Sequence, residues 1–341
     1  MKLGELFDAG VPADAAGLSI AGLTADSRAV KPGYLFAALE GHAAHGRDFL
    51  AQALDNGAAA VLSAGDLNQT PAVAHVVADN PRRAFALAAS RFYPKRPQTL
   101  VAVTGTNGKS STVDFLRQIW AHAGRRAASM GTLGAIGPSG AVDLGHTTPD
   151  PAAVHATLAR LAEEGVTHAA MEASSHGLEQ HRVDGLSFDA GAFTNLTQDH
   201  LDYHQDMGAY RAAKLKLWAL VKSGGAAIVN ADAAEAPAFE HAARKRGLGL
   251  VLCGWRAPRE RSLKIVEIQP RPASQTLTLL WSGKEVDVEL PLIGEFQALN
   301  AVCAATLALS LGEAAPAVFA GMEKLKPVKG RMEHVGESRA G

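Results

Sequence analysis

Only two cysteines occur in 341 residues, Cys253 and Cys303, far apart in sequence and without metal-ligand spacing. That leaves no case for a cysteine metal site, and buried free thiols in a reducing cytoplasm are expected. An excess of charge of either sign is also missing: 33 basic residues face 34 acidic ones, for a net charge of −1. Such a balance offers no electrostatic footing for nucleic acid or a membrane surface. No apolar run reaches membrane-spanning length, and Met1-Lys2-Leu3-Gly4-Glu5-Leu6 has no signal-peptide core. Repeats and low-complexity tracts are absent apart from a general richness in alanine. A soluble cytoplasmic protein of two or three domains is therefore expected.

What is present is a phosphate-binding pattern. The apolar segment Leu100-Val101-Ala102-Val103 runs into Thr104-Gly105-Thr106-Asn107-Gly108-Lys109-Ser110-Ser111 and then into the helical period Thr112–Trp120. This reads as buried strand, glycine loop and helix start. Glycines let successive N–H groups turn towards phosphate oxygens, the helix N-terminus adds its dipole, and Lys109 adds a full charge. Ser110 or Ser111 offers a hydroxyl to a phosphate-held magnesium ion. The loop is not the standard GxxxxGK[ST], which would place glycine where Val103 stands. A glycine-rich turn with an exposed lysine is the plainer alternative.

Residues 1–92 alternate short apolar strands with one helix, Asp48–Asn56, as in a small α/β domain, and Pro94-Lys95-Arg96-Pro97 reads as a linker. A second domain spans 98–329. Its candidate strands are Leu100–Thr104, His168–Glu172, Ala190–Thr194 and Ala226–Asn230. Its helical periods are Ser110–His122, Pro151–Glu164, Tyr210–Val221 and Ala233–Arg246. Strands separated by helices predict a mostly parallel sheet of the P-loop type, with its site at the strand C-terminal ends. Alternation between Leu263 and Leu292 predicts a small antiparallel appendix, and Asn300–Leu311 reads as a buried helix.

Two further segments fall where a phosphate-transfer site needs them. Met171-Glu172-Ala173-Ser174-Ser175-His176-Gly177 puts a carboxylate at a strand end, suited to magnesium or simply the first exposed residue after a strand. Thr194–His204 contains Asp199, His200, Asp202 and His204, which fits either a metal site or a polar loop capping the next helix. Nothing in composition singles out Lys214 of Tyr210-Arg211-Ala212-Ala213-Lys214.

Taken together, Gly105–Ser111, Glu172–Leu178, Asp199–Tyr203 and Tyr210–Lys214 resemble, in order and spacing, the Mur ligases, ATP-dependent amide-forming enzymes of peptidoglycan precursor assembly. The resemblance implies that Lys214 is carbamylated by CO₂ and that Ser110, Glu172, His200 and the carbamate hold two magnesium ions. It implies ATP contacts from Gly105, Thr106, Asn107, Gly108, Lys109, Ser110, Ser111, Asn300 and Arg331. Carbamylation would turn a cation into an anion, and hence into a metal ligand. Asp26–His42 is similar to the family's uridine-nucleotide domain, and Gly41–Phe49 to its tripeptide-synthetase (MurE-type) branch. That likeness implies UDP-substrate contacts from Ser27, His42, Ala43 and Ala44. Thr147, Thr148, Ser174, Gln180 and Arg182 would contact the muramoyl peptide. Thr147-Thr148-Pro149-Asp150-Pro151 equally reads as a helix start.

The implied reaction joins a diamino acid, meso-diaminopimelate or L-lysine, to UDP-MurNAc-L-Ala-D-Glu through an acyl phosphate. Residues 330–341 are expected to be the stub of an amino-acid-binding third domain, whose Asp-Asn-Pro-Arg signature is expected to be absent from this chain. Alternatives are a catalytically incomplete binding protein needing that domain supplied separately, another Mur ligase, or a folylpolyglutamate-type ligase. The last usually has glycine where Ser110 stands.

Overall fold

The computed structural model describes residues 1–41, 44–65, 67, 71–198, 204, 206–328 and 330. It forms two compact units that do not follow a single cut in the chain. One is Met1–Arg96 with Thr148–Glu163 and Gly177–Leu186; the other is Pro97–Thr147 with Glu164–His176 and the chain from Ser187 onward.

Among the described residues, the first unit has a four-stranded, all-parallel sheet: β1 (Gly22–Thr24), β2 (Tyr34–Ala37), β3 (Ala60–Ser63) and β4 (Ala74–Val77). Its helices include α1 (Leu3–Leu6), α2 (Leu50–Asp55) and α3 (Pro81–Phe92). The sequence-predicted helix Asp48–Asn56 is α2, entered through a 3-10 turn at Gly46–Phe49. The longer α3 was not foreseen. Its start signal lies in Asp79-Asn80-Pro81-Arg82, where Asn80 Oδ1 accepts from the Arg83 amide (3.0 Å) and Pro81 occupies the first turn. Asp-Asn-Pro-Arg, expected to be absent, is therefore present in this chain, but at the start of a helix in the N-terminal unit. Helix α5 (Pro151–Glu163) packs on α3, and its Ala152 joins the core of Leu3, Leu35, Leu62, Val76 and Phe85. Periodicity found α5 but could not say which core its apolar face would fill.

The second unit carries an eleven-stranded sheet. In spatial order it runs β15 (Lys284–Leu290), β14 (Gln275–Trp281), β13 (Ser262–Pro270), β12 (Gly249–Gly254), β11 (Val221–Asn230), β10 (Phe188–Phe193), β5 (Thr99–Thr104), β9 (His168–Glu172), β6 (Ala127–Gly131), β7 (Gly134–Gly137) and β8 (Gly140–Val142). From β13 to β6 neighbours are parallel; β13–β15 and β6–β8 are antiparallel ends. The first appendix matches the expected hairpins, whereas the glycine-rich β6–β8 ribbon was not anticipated. Central strand β5 is apolar on both faces because helices cover both sides, as parallel sheets require.

Helix α4 (Lys109–His122) buries Val113, Phe115, Leu116, Ile119 and Trp120, and packs against α10 (Glu295–Ser310), which is buried on nearly every face. The expected helix Tyr210–Val221 is instead α7 (Met207–Leu215) and a short α8 (Leu217–Leu220). Val221 then opens β11, pairing with Phe188. Helix α6 (Ser175–Glu179) follows β9, α9 (Ala236–Lys245) lies between β11 and β12, and α11 (Ala315–Met322) follows α10. Among the described residues no helix is long and apolar enough to cross a membrane.

The two cysteines, distant in sequence, become neighbours: both are buried and free, and Cys303 together with burial pushes the Cys253 thiol well above its usual pKa. In the first unit, α5 buries His155, whose Nε2 lies 3.1 Å from the Asp184 carbonyl oxygen. A carbonyl only accepts, so Nε2 is the protonated nitrogen. Burial depresses the His155 pKa to about 4, against 6.5 unperturbed, with Arg96 adding to the shift. The folded state therefore keeps this ring neutral at pH values where the unfolded chain takes up a proton. Its contribution is complete above about pH 6.5 and lost as pH falls towards 4, amounting to roughly 3 kcal/mol. Urea midpoints measured from pH 7 to pH 4 should fall less steeply for His155→Gln than for the parent chain.

Candidate functional site

The parallel register aligns the strand ends that build the site. Val103 pairs with Glu172, Thr104 with Phe193, and Met130 with Met171, so the turns after β5, β9, β10 and β6 leave from one edge. Strand order reverses direction about β5, which has the later β9 on one side and β10 on the other. Such a reversal is where open α/β sheets form their binding crevice.

The loop after β5 is held by backbone proximity. Gly105 has φ +152°, and a Cβ there would lie 1.9 Å from Thr194 Oγ1; at Gly108, φ is +84° and a Cβ would lie 2.2 Å from Asn300 Oδ1. Only glycine fits either position. Asn107 is gripped from both sides. Its amide donates to Asn195 Oδ1 (2.9 Å), while its carbonyl accepts from Thr194 Oγ1 (2.6 Å) and Asn195 Nδ2 (3.2 Å). Thr106 Oγ1 accepts from the Thr197 amide (3.0 Å) and lies 3.2 Å from Tyr210 Oη. The described part of the Thr194–His204 segment thus braces the loop. Gly108 caps α4 without a side chain of its own, leaving the first-turn amides of α4 directed at the loop's concave side.

Two ammonium groups converge on one carbonyl of this loop. Lys109 Nζ donates to the oxygens of Gly105 (2.9 Å) and Thr106 (2.8 Å). Lys214 Nζ, on α7 and 1% exposed, donates to the same Gly105 oxygen (2.8 Å) and sits 4.4 Å from the Tyr210 ring centre. Composition could not distinguish Lys214 from a solvated helix lysine; burial does.

A cavity of about 290 Å³ is lined by Thr106–Ser111, Thr132, Thr147, Glu172 and Ser174. Glu172, 1% exposed, accepts from the Thr132 amide at Oε1 (2.8 Å), and Thr132 Oγ1 lies 3.4 Å from Oε2. Thr132 Oγ1 is in turn 3.0 Å from Thr147 Oγ1. A Cβ on Gly131 would come within 2.0 Å of Glu172 Oε1. A carboxylate and a serine hydroxyl around one phosphate-sized cavity are hard oxygen donors, so the residues fit magnesium. Among the described residues, no group of three or more His, Cys, Asp or Glu gathers to hold a metal. His200 and Arg331 lie outside the described residues, as do Asp199 and Asp202.

On the other side of the loop, a cavity of about 90 Å³ is bounded by Asn107, Gly108, Asn230, Phe296, Asn300 and Cys303, among others. This places Asn300 beside the loop, where its Nδ2 donates to Gln297 Oε1 at 3.4 Å. A larger groove of about 1290 Å³ opens where β11 and β12 begin, near Lys222, Gly249 and Arg261. It lies at the strand beginnings, away from the glycine loop and Glu172, and Lys222 there is paired with Asp189 (2.5 Å).

The remaining expected residues belong to the first unit. Ser27 is buried and donates to Gln52 Oε1 (2.6 Å). Beside it, the Arg28 guanidinium holds the Asp26 carboxyl below its ordinary pKa. Ala44 closes a turn by accepting from the Gly41 amide (2.9 Å); His42 and Ala43 lie outside the described residues. Arg182 donates to the Thr148 carbonyl (2.7 Å) and forks onto Gln180 Oε1 through Nη2 (2.8 Å) and Nε (3.2 Å). Between them His181 adopts φ +57° and lies against Asn80 (3.2 Å) and Asp184 (3.0 Å). Thr148, Gln180 and Arg182 were each expected as site residues, but their mutual contacts, the His181–Asn80 contact and Thr132 were not found from the sequence. Thr132 carries no motif signal, and the His181–Asn80 contact joins residues 101 positions apart.

Residues 103–308 match the Mur ligase middle domain, and residues 19–104 match the Mur ligase family, catalytic domain. The UDP-N-acetylmuramoyl-L-alanyl-D-glutamate–2,6-diaminopimelate ligase of Bradyrhizobium diazoefficiens is 45% identical over 99% of this chain and 70% of its own length. That of Rhizobium meliloti is 46% identical over the whole chain and 71% of its own length. A solved structure of a ligase of this name superposes with a TM-score of 0.88 at 28% identity, covering 99% of this chain and 69% of that one. MurF from Acinetobacter baumannii shares the fold, with a TM-score of 0.68 at 21% identity over 94% of this chain and 66% of that one.

Gly108→Ala should weaken binding of a non-hydrolysable ATP analogue at least tenfold, read by titration calorimetry, because the added methyl collides with Asn300 and disfavours the left-handed backbone. Unchanged affinity would show that this loop does not seat the nucleotide.

Proposed function

The chain belongs to the Mur ligase family, and from that premise we propose that it binds ATP and UDP-MurNAc-L-Ala-D-Glu and activates the latter for amide formation with a diamino acid. The observation that carries this reading is the gathering of Lys109, Ser110, Glu172 and Thr147 around one cavity, with Lys214 beneath the same loop.

A carboxylate resists attack by an amine because oxide would have to leave. In the proposed sequence the γ-carboxylate of D-Glu attacks the γ-phosphorus of ATP and ADP departs, giving an acyl phosphate. The amine then attacks the acyl carbon and phosphate leaves. The α4 amides and Lys109 bind the phosphates and oppose the negative charge that builds between them. Ser110 and Glu172, with His200 and a carbamate on Lys214, would hold magnesium, which supplies charge neutralisation at the phosphates when bound. Carbamylation would replace one of the two ammonium groups that share the Gly105 carbonyl with an anion. Ser27, His42, Ala43 and Ala44 are proposed to bind the uridine end. Thr147, Thr148, Ser174, Gln180 and Arg182 are proposed to bind the peptide end, and Asn300 and Arg331 to bind ATP. The family as a whole makes ATP the energy source; the UDP-substrate assignment follows the MurE-type relatives.

One feature favours a second reading. The chain spans about 70% of the length of its curated relatives, and on this second reading these residues bind both substrates without completing the amide. Phosphate release decides between the two. With ATP, magnesium and UDP-MurNAc-L-Ala-D-Glu, release that requires one diamino acid is expected of a working ligase and names its specificity. Tight UDP-substrate binding without release is expected of the incomplete form, and neither binding nor release would sink the proposal. If release is seen, Lys214→Ala should lose it and regain part of it with a short carboxylic acid in solution. Absence of rescue at any concentration would remove the carbamate from the mechanism.

A further inference from the structure

We infer that Trp255 is a positioning residue for the nucleotide base: through Glu295 it holds Phe296 at the mouth of the smaller cavity beside the glycine loop. The inference rests on the proposed seating of ATP phosphates on that loop.

The cavity of about 90 Å³ is bounded by Asn230, the last residue of β11, and by Phe296 in the first turn of α10. An unbroken run of hydrogen bonds leads from one to the neighbour of the other. Asn230 Nδ2 donates to the Thr194 carbonyl (2.9 Å), and Asn230 Oδ1 accepts from the Asp232 amide (3.1 Å). The Asp232 carboxylate accepts in turn from the amides of Trp255 (2.9 Å) and Arg256 (2.8 Å). Gly254 makes this approach possible, since a Cβ there would lie 2.2 Å from Asp232 Oδ2. Trp255 Nε1 then donates to Oε1 of Glu295, the residue before Phe296, at 2.7 Å.

The indole is a strut fixed at its base. Both polar groups of the Trp255 backbone are held, the amide by Asp232 and the carbonyl by Lys264 Nζ (2.7 Å). At its far end the strut meets the entry to α10, where Gly294 has φ +92° and its carbonyl accepts from Gln275 Nε2 (3.1 Å). The Phe296 ring folds back over Gly294, for a Cβ there would lie 2.9 Å from Phe296 Cε1. That ring lines the cavity and is still 48% exposed. An open aromatic face beside a phosphate-binding loop suits a planar heteroaromatic base, which stacks on it without hydrogen bonds. Helix α10 is itself buried on nearly every face, so losing the Trp255–Glu295 bond loosens the rim and leaves the helix in place.

The test compares two ligands by titration calorimetry, both with magnesium. One is a non-hydrolysable ATP analogue; the other is inorganic tripolyphosphate, which offers the phosphates without the base. Trp255→Phe keeps an aromatic ring but removes the N–H donor. It should weaken binding of the analogue about fivefold and leave tripolyphosphate binding unchanged. Glu295→Ala should do the same, and serves if Trp255→Phe does not fold. Glu295→Gln keeps the acceptor and should bind the analogue as the parent chain does. Phe296→Ala should show the largest loss, again for the analogue alone. Parent affinity for the analogue in Trp255→Phe and Glu295→Ala, or a loss shared equally by tripolyphosphate, overturns the inference. So does parent affinity in Phe296→Ala. If the parent chain binds neither ligand, the loop does not seat phosphates, and the proposed function falls together with the inference.

Discussion

The central unit depends on how closely the backbone at Gly105 and Gly108 approaches its neighbours. Thr194 and Asn300 stand where side chains on these residues would be, so the loop can exist only as bare backbone between them. That proximity is why Thr194 and Asn195 can grip Asn107, and why two lysines from different helices reach the same carbonyl. A loop held by its own backbone does not need to rearrange when phosphate arrives, and preorganised amides are worth most where charge develops.

Buried polar groups elsewhere in the site follow the same economy. Glu172 lies almost out of solvent but has the Thr132 amide at one oxygen, and Lys214 has a carbonyl and an aromatic face. Unpaired, each would be strongly destabilising; paired, each is fixed in direction. The Thr132 amide lies 2.8 Å from one Glu172 oxygen, and the Gly105 carbonyl lies 2.8 Å from Lys214 Nζ. In the first unit, an arginine fork on Gln180 and the Thr148 carbonyl does similar work for segments that arrive from the middle of the chain.

The family's chemistry is consistent with this division of labour. In the proposed function, nucleotide phosphates meet backbone amides and Lys109, which are indifferent to what the phosphates are attached to. On the same proposal, selection among substrates falls to side chains such as Thr147, Gln180 and Arg182. MurF from Acinetobacter baumannii keeps the fold at only 21% identity, with a TM-score of 0.68.

Much of this was legible in order and spacing. The strand–loop–helix at Leu100–Trp120, the parallel core, the β13–β15 hairpins and the buried α10 all rest on local patterns: apolar runs, glycine positions and periodicity. The lysine loop and the Glu172 strand end could likewise be read, because each is a short motif with a chemical reason for its residues. Helix α3 was missed although Asn80 and Pro81 signal it, and the β6–β8 ribbon was missed because short glycine-rich strands carry little period. Other features exist only in three dimensions. Thr132 touches Glu172 because β6 and β9 pair in one register; Cys253 meets Cys303 because α10 packs over β12; α5 fills the N-terminal core from the middle of the chain. The amino-acid sequence by itself determined which chemical groups are present and in what local conformation. Tertiary structure decided which of them meet, because strand register and helix packing join residues that no spacing along the chain connects.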